Sequence, residues 1–305
     1  MSVQYENDFF ARSGDRYYTH GSQISRLVLG DNPEWLKSMA SPFSFLQSDG
    51  ILNATNYTIG QKIFTPDDTV SATLLVDERP YAGYYFVNAA LLSRINRNHL
   101  YDTGNLLEFS LGVVGPLSMA EEMQTVFHNS LNIDKPNGWD NQLHNELGLG
   151  LTYSRLWRFV VPMSESLDFG VNPQTTITVG NVYTYAATGA MFRLGTRLRN
   201  DLGPPSVRPG FPGIPSFQIE NGFRWYLFAG GEARLMGRNI FLDGNTFRDS
   251  HSVEKETWVA DYQYGLVLHG GHVRISLSNI YRTKEYTTQK DEAHYGALNI
   301  SFAIR

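Results

Sequence analysis

Seven polar side chains suited to hydrolysis or metal binding occur in three short stretches of the chain. Imidazole exchanges a proton close to neutral pH, and carboxylate, amide and hydroxyl oxygens are the ligands that hard cations prefer. These side chains can support acid-base chemistry beside a bound cation only if the fold brings the three stretches together. The seven residues are Asn7, Asp8, Thr19, His20, His128, Asp134 and Asp140.

Composition and missing motifs exclude several classes of function. The 305 residues include 25 Lys and Arg against 30 Asp and Glu, and the net charge of −5 argues against a nucleic-acid partner. The chain has no cysteine, so disulfides, thiolate zinc sites, iron-sulfur clusters and cysteine nucleophiles are excluded. No Gly-x-Ser-x-Gly, Walker or His-Glu-x-x-His motif occurs, which disfavours a serine hydrolase of the common kind.

Alternation of apolar and polar residues dominates the chain from end to end. Leu107, Phe109, Leu111 and Val113 alternate with polar or small residues, and residues 298–304 repeat the pattern. Strands of about 10 residues with one apolar face are typical of a transmembrane β-barrel, whereas soluble sandwiches have shorter strands. No stretch approaches the ~18 apolar residues of a transmembrane helix.

The pattern predicts an all-β fold, a twelve-stranded antiparallel transmembrane β-barrel forming one domain over residues 1–305. An even strand number places both termini on the periplasmic side. The tight turn at residues 269–272 belongs on that side too, so the first strand runs outward. Strands are expected to start near Ser2, Tyr17, Ala54, Tyr81, Gly104, Asp140, Ser166, Thr184, Gln218, Ser252, His272 and Glu292.

Other segments interrupt the strand pattern. The long connections at residues 31–53 and 200–217 are expected to form loops or plugs, because they contain several prolines. No leader precedes the first strand, and we expect that a signal peptide has been removed from an outer-membrane protein of a Gram-negative bacterium.

A helix is predicted within residues 117–139, in a loop at the extracellular rim. Ser118 and Glu121 have the spacing of a capping box, with Ser118 as the N-cap. Met119 and Met123 in the apolar stripe of this helix are expected to pack the helix on the barrel or to contact acyl chains as well. The stripe comprises Met119, Met123, Val126, Phe127 and Leu131, and the opposite face carries Glu121, Gln124, Thr125 and His128.

Four motifs, in order along most of the chain, resemble those of a known family, the outer-membrane lipid A 3′-O-deacylases. The resemblance implies a twelve-stranded barrel that removes 3′-linked acyl chains from lipid A in the outer leaflet, using Ca²⁺ and a histidine base. The motifs are Glu6-Asn7-Asp8-x-Phe10, Asp15-Arg16-Tyr17-Tyr18-Thr19-His20-Gly21, Arg79-Pro80-Tyr81-Ala82-Gly83, and His128 followed by Gly138-Trp139-Asp140-Asn141-Gln142.

The resemblance also implies roles for individual residues. His128 matches the general base that takes a proton from water. Asn7, Asp8 and Thr19 match active-site positions, and Asn7 and Asp8 offer oxygen ligands to Ca²⁺. Asp134 stands where the family can carry a glutamate, and it is shorter by one methylene group, so it is expected to reach the metal through water.

One family feature is missing from the expected place. The family can carry a lysine in the loop after a Thr-Pro pair, but Thr65-Pro66 leads into Asp67-Asp68, with no lysine before Asp77. If a cation there holds a lipid phosphate, this chain either lacks it or supplies it from Lys135 or Arg79.

The leading hypothesis is therefore a calcium-dependent esterase acting on lipid A or lipopolysaccharide as a monomer in the outer membrane. One alternative is an inactive barrel or small channel that has kept the family's shape. A second is a relative that deacylates another lipid, such as a phospholipid. The least favoured alternative is a soluble β-sandwich that binds ligands.

Overall fold

A closed barrel of twelve antiparallel strands forms the body of the protein, which confirms the predicted fold class. The computed structural model describes residues 1–8, 17–46, 52–98, 100–131, 135–198, 201, 203 and 220–303. Three helices accompany the strands: α1 (Glu34–Ala40), α2 (Ala120–Leu131) and α3 (Ile240–Asp243). The strands are β1 (Ser2–Asn7), β2 (Tyr17–Leu29), β3 (Leu52–Thr65), β4 (Ala82–Asn98), β5 (Tyr101–Val114), β6 (Glu146–Pro162), β7 (Asp168–Gly180), β8 (Tyr183–Gly195), β9 (Glu220–Asn239), β10 (Trp258–Gly271), β11 (Val273–Arg282) and β12 (Ala293–Phe302).

The two ends of the barrel differ in their connections. At one end, called here the turn end, Gly270 pairs with Val273 across a two-residue turn. Gly271 has φ +56° in this turn, a conformation that glycine adopts without steric cost. Ser2 pairs with Ser301 at the same end, so β1 runs from the turn end to the opposite end, called here the rim end. Both findings agree with the predicted direction of β1.

Ten strands start within three residues of the predicted positions, and two start six residues later. The segment near Asp140 forms a short 3₁₀ turn, Trp139–Asn141, and β6 begins only at Glu146. The residues directly after Ser252 lie outside the wall, where the backbone N–H of Val253 donates to the carbonyl oxygen of Leu242 in α3, and β10 begins at Trp258. Alternation identifies extended backbone, but it does not reveal whether the partner of that backbone is a wall strand or a loop.

The outer face of the wall is apolar. Val3, Ile24, Ile59, Val87 and Leu149 are all exposed there, because alternate side chains of each strand point away from the lumen. Among the described residues, no helix is long and apolar enough to cross a bilayer.

The inner face carries buried charges in compact ion-pair networks. Asp102 accepts hydrogen bonds from Arg94 and Arg158 near the turn end. Asp261 accepts hydrogen bonds from Arg234 and Arg282 closer to the rim end. Buried charges need opposite partners and hydrogen bonds, and these networks supply them by joining three neighbouring strands, β4 to β6 around Asp102 and β9 to β11 around Asp261.

Loops enter the lumen at both ends. At the rim end, Phe241 of α3 stacks on Phe64 with ring centroids 4.2 Å apart. At the turn end, Leu198 is fully buried, and the carboxylate of Asp201 bonds to Arg274 at 3.0 Å. The described part of the 200–217 connection, Asp201 and Gly203, therefore has the predicted character of a plug.

The other long connection packs on the outside of the barrel. Leu36 and Ala40 of α1 are buried in a cluster with Leu91 and Leu107. The last two side chains belong to the outward face, because they follow the alternation of exposed Val87 and Leu111. The described part of the 31–53 connection is therefore a helix against the outer wall.

Removing the carboxylate of Asp261 should destabilise the barrel strongly. Asp261→Ala leaves two buried guanidinium groups without their shared counter-charge, at a cost of roughly 3–5 kcal/mol. Urea unfolding of the refolded protein in detergent measures the loss. The exposed Asp249 supplies the control, and an Asp249→Asn midpoint shifted as far as that of Asp261→Ala would contradict the argument.

Candidate functional site

Helix α2 lies against the outside of the barrel wall near the rim end. The amide Nε2 of Gln61 on β3 donates to the carbonyl oxygen of Ser118 at 2.6 Å. A Cβ atom built on Gly83 of β4 would lie 2.0 Å from Ser118 Oγ and 2.3 Å from Ala120 Cβ. Glycine at position 83 therefore lets the start of the helix touch the wall. Gln61 and Gly83 belong to the outward faces of their strands, as do exposed Ile59 and Val87.

The start of the helix differs from the predicted capping box. Ser118 ends a 3₁₀ turn, Pro116–Ser118, and is buried. Met119 follows in the left-handed conformation, with φ 57° and ψ 31°. The helix begins only at Ala120, so Ser118 is not its N-cap. The prediction is wrong because the Ser118 side chain lies against Gly83, where the chain turns onto the wall.

The buried face of α2 is its polar face. Gln124 and His128 are only 3% and 4% exposed, whereas Met119 and Val126 are 60% and 62% exposed. Of the two methionines expected to pack on the barrel or to contact acyl chains as well, Met119 is therefore not packed on the wall, and Met123 is half exposed and lines a cavity. Periodicity separated the apolar stripe from Gln124 and His128, but it did not show which of these faces meets the wall.

A cavity of about 110 Å³ lies between α2 and the wall. It brings together Asn7, Thr19 and His128, three of the residues that the sequence singled out. His20, which had no assigned role, lies there with its ring edge-on to Tyr5 at 4.9 Å. The lining comprises Tyr5, Asn7, Thr19, His20, Ile63, Met123, Gln124, Phe127 and His128.

Polar contacts at the ends of β1, β2 and β3 orient the wall side of this cavity. Thr19 is an extra residue in β2, because the pairing with β3 shifts between Tyr18 and His20. Such a bulge redirects the local side chains. The Thr19 hydroxyl lies 2.7 Å from the hydroxyl of Thr65. Nδ2 of Asn7 donates to the carbonyl oxygen of Thr19 at 2.9 Å, so the amide oxygen of Asn7 points away from that carbonyl.

Trp139 stabilises the side of the cavity that α2 forms. Its indole Nε1 donates to Oε1 of Gln124 at 3.0 Å, and its ring packs on Tyr81 with centroids 5.0 Å apart. Gln124 lies one turn before His128 and therefore on the same helix face. That spacing was visible in the sequence, but the partnership of Gln124 with Trp139 was not.

The three acidic candidates have different positions. Asp8 is buried directly after Asn7 at the end of β1. Asp140 is exposed. Partial burial of Glu121, together with the negative charges of Glu122 and Asp140, raises the pKa of Glu121. Asp134 lies outside the described residues. Within the described ranges, no group of three or more His, Asp or Glu side chains is arranged to hold a metal ion.

The loop after Thr65-Pro66 does receive a cation, although not from the residues considered. Nζ of Lys290 lies 3.2 Å from Asp67 and 3.5 Å from Glu78. Arg79 is instead buried, with NH1 at 3.2 Å from Glu285, and is not available at the surface. Lys135 is exposed. Lys290 was not identifiable because it is more than 200 residues from this loop in the sequence.

Comparison with known proteins identifies the family. The model of the outer membrane protein LpxR family matches residues 1–304. The chain belongs to this family. It is therefore an outer-membrane β-barrel protein, and the family resemblance inferred from the four motifs is confirmed.

The fold is shared with a solved structure of the same family. LpxR from Salmonella typhimurium superposes with a TM-score of 0.77 at 20% sequence identity, with 99% of each chain covered. The β domain of the Bordetella autotransporter BrkA gives 0.47 at 8% identity, covering 99% of this chain and 98% of that one. The translocator domain of NalP from Neisseria meningitidis gives 0.46 at 11% identity, covering 99% and 87%. No curated protein sequence matches the chain.

Loss of the indole hydrogen bond should loosen α2 without unfolding the barrel. Trp139→Phe keeps an aromatic ring against Tyr81 but removes a buried hydrogen bond, a change of about 1 kcal/mol or more. Faster hydrogen exchange of α2 amides, measured by mass spectrometry, is the expected result. Trp258→Phe, at a residue exposed on the outer wall, is the control. Equal exchange of α2 in both variants would show that the bond does not brace the helix.

Proposed function

We propose that this protein is a calcium-dependent esterase that removes the 3′-linked acyl or acyloxyacyl group of lipid A in the outer leaflet of the outer membrane. The observation that carries the proposal is the cavity shared by His128, Asn7 and Thr19 on the outside of the wall near the rim end. An ester of a lipid in the outer leaflet lies beside this surface, whereas a substrate in solution has no reason to approach it. Membership of the LpxR family supports the same reaction.

In the proposed reaction His128 acts as general base. Its imidazole takes a proton from water, and the water oxygen attacks the carbonyl carbon of the ester. The C–O bond to the sugar then breaks, and the proton on His128 passes to the departing alkoxide. The products are a free fatty acid and lipid A with a 3′-hydroxyl group. Gln124, held by Trp139, fixes the helix turn that presents His128.

The oxygen donors at the end of β1 are suited to Ca²⁺. Asn7 offers an amide oxygen whose orientation is set by its bond to Thr19, and Asp8 offers a carboxylate. Asp134 is a third proposed ligand. Hard cations accept such mixed oxygen ligands and retain waters. Ca²⁺ held by these oxygens would supply positive charge that polarises an ester carbonyl.

The same base and cation chemistry suits any carboxylic ester, so a phospholipid is the second candidate substrate. The exposed position of the cavity on the lipid-facing wall favours a lipid in either case. A conducting channel is less consistent with the structure, because α3 and the segment around Leu198 occupy the two ends of the lumen. We expect a monomer in the outer membrane of a Gram-negative bacterium, since one chain supplies every strand.

Replacing His128 should abolish deacylation. The test is mass spectrometry of lipid A and of phospholipid incubated with the detergent-folded protein, with Ca²⁺ or with a chelator. We expect loss of the 3′-linked acyl mass with Ca²⁺ only, and a fall in rate of roughly 10²- to 10⁴-fold in His128→Ala.

The matched control is His272→Ala, because His272 is exposed at the turn end and should leave the rate unchanged. Fatty acid released from phospholipid alone would reassign the substrate. No product from either lipid, with a correctly folded barrel, would refute the esterase proposal.

Replacing Asp8 should weaken the response to Ca²⁺. Asp8→Asn removes a negative charge from the proposed ligands, so we expect the Ca²⁺ concentration for half-maximal rate to rise by roughly tenfold. Titration of activity with Ca²⁺ gives this value. Asp31→Asn, at an exposed residue near the turn end, serves as control. An unchanged Ca²⁺ response in Asp8→Asn would remove Asp8 from the ligand set.

A further inference from the structure

Four large apolar side chains remain exposed around helix α2. Leu117 and Met119 precede the helix and are 67% and 60% exposed, and Met123 and Val126 within it are 49% and 62% exposed. Met123 and Val126 are three residues apart and share one side of the helix, and Met119 directly precedes its first turn. We call these four residues the outer stripe. Contiguous exposed apolar surface of this kind marks an interaction site.

Three different surfaces divide the circumference of α2. Ala120, Gln124 and His128 face the wall and are buried. Glu121, Glu122 and Asn129 form an exposed polar flank. The outer stripe occupies the remaining flank. A helix with a polar flank, an apolar flank and one side fixed to protein is suited to lie in the plane of a membrane interface.

The orientation of the stripe follows from the cavity. Met123 and Phe127 line the cavity together with Tyr5 and His20. Met123 thus belongs to both the outer stripe and the cavity lining, so the stripe borders the cavity on the outside of the wall. The wall on this side is the apolar outer face, where Val3, Ile24, Ile59 and Val87 are exposed. The outer stripe therefore continues the lipid-facing surface of the barrel.

We propose that the outer stripe is a membrane contact, covered by acyl chains of the outer leaflet, and that α2 lies with its polar flank in the headgroup region. This contact is independent of the proposed reaction. Its consequence for catalysis rests on that reaction. The apolar side of α2 opens the cavity toward the hydrocarbon, so that an ester reaches His128 sideways from the bilayer.

Site-directed spin labelling provides the test, because the chain has no native cysteine. Met119→Cys and Val126→Cys report on the stripe, and Glu122→Cys and Asn129→Cys report on the polar flank. The labelled protein is placed in vesicles of phosphatidylcholine with lipopolysaccharide. We expect oxygen to relax the stripe labels more than a water-soluble nickel chelate does, and the reverse for the flank labels.

Equal accessibility of both flanks to the two reagents would overturn the proposal. Dipolar broadening between stripe labels of different molecules, lost on dilution with unlabelled protein, would also overturn it by assigning the stripe to a second copy of the chain. Both outcomes are independent of enzymatic activity.

A charge on the stripe tests the consequence for catalysis. Val126→Lys should lower the deacylation rate in lipid vesicles by roughly fivefold, since a lysine near the interface is modestly unfavourable in lipid, while the rate in detergent micelles stays unchanged. Asn129→Lys is the matched control, one turn further on the polar flank. Equal effects in vesicles and micelles would contradict lateral access. If wild-type protein deacylates nothing while the labels still report lipid, the proposed function fails and the membrane contact stands.

Discussion

Closure of the sheet is the constraint on which the other features of this protein depend. In hydrocarbon every backbone N–H and C=O group needs a partner within the protein, and β1 supplies the last partners by pairing with both β2 and β12. Asn7 is the final residue of that seam, opposite His20 on one side and Gly296 on the other. The strand that closes the barrel thus also carries a candidate site residue.

Closure also determines where polar side chains can lie. Inside the barrel, arginines and carboxylates are combined in networks such as the one centred on Asp261. On the outside, alternation should place apolar side chains, yet Asn7, Thr19 and Thr65 lie on the outer wall near the rim. Helix α2 covers them with its own polar face. At the candidate site, polar side chains of the outer wall are therefore covered by protein, as expected for a functional feature.

Much of this arrangement could be predicted from the sequence. Strand number, direction and the turn at Gly271 follow from alternation and local turn chemistry, and the family motifs identify Asn7, Thr19 and His128. The outward position of α2 could not be predicted, because periodicity separates two faces without showing which solvent each face meets. The brace between Trp139 and Gln124 and the position of Lys290 beside Asp67 depend on loop packing, which has no local signature.

The residues of the candidate site are concentrated in the first half of the chain. Every residue that lines the cavity, together with Trp139, precedes β6, and β12 supports the site by pairing with β1. Substitutions on the outer face of β6 to β11 therefore need only preserve apolar character and strand register. Changes in substrate preference are therefore expected to arise from substitutions within the first 145 residues, whereas the later strands mainly preserve the closed wall.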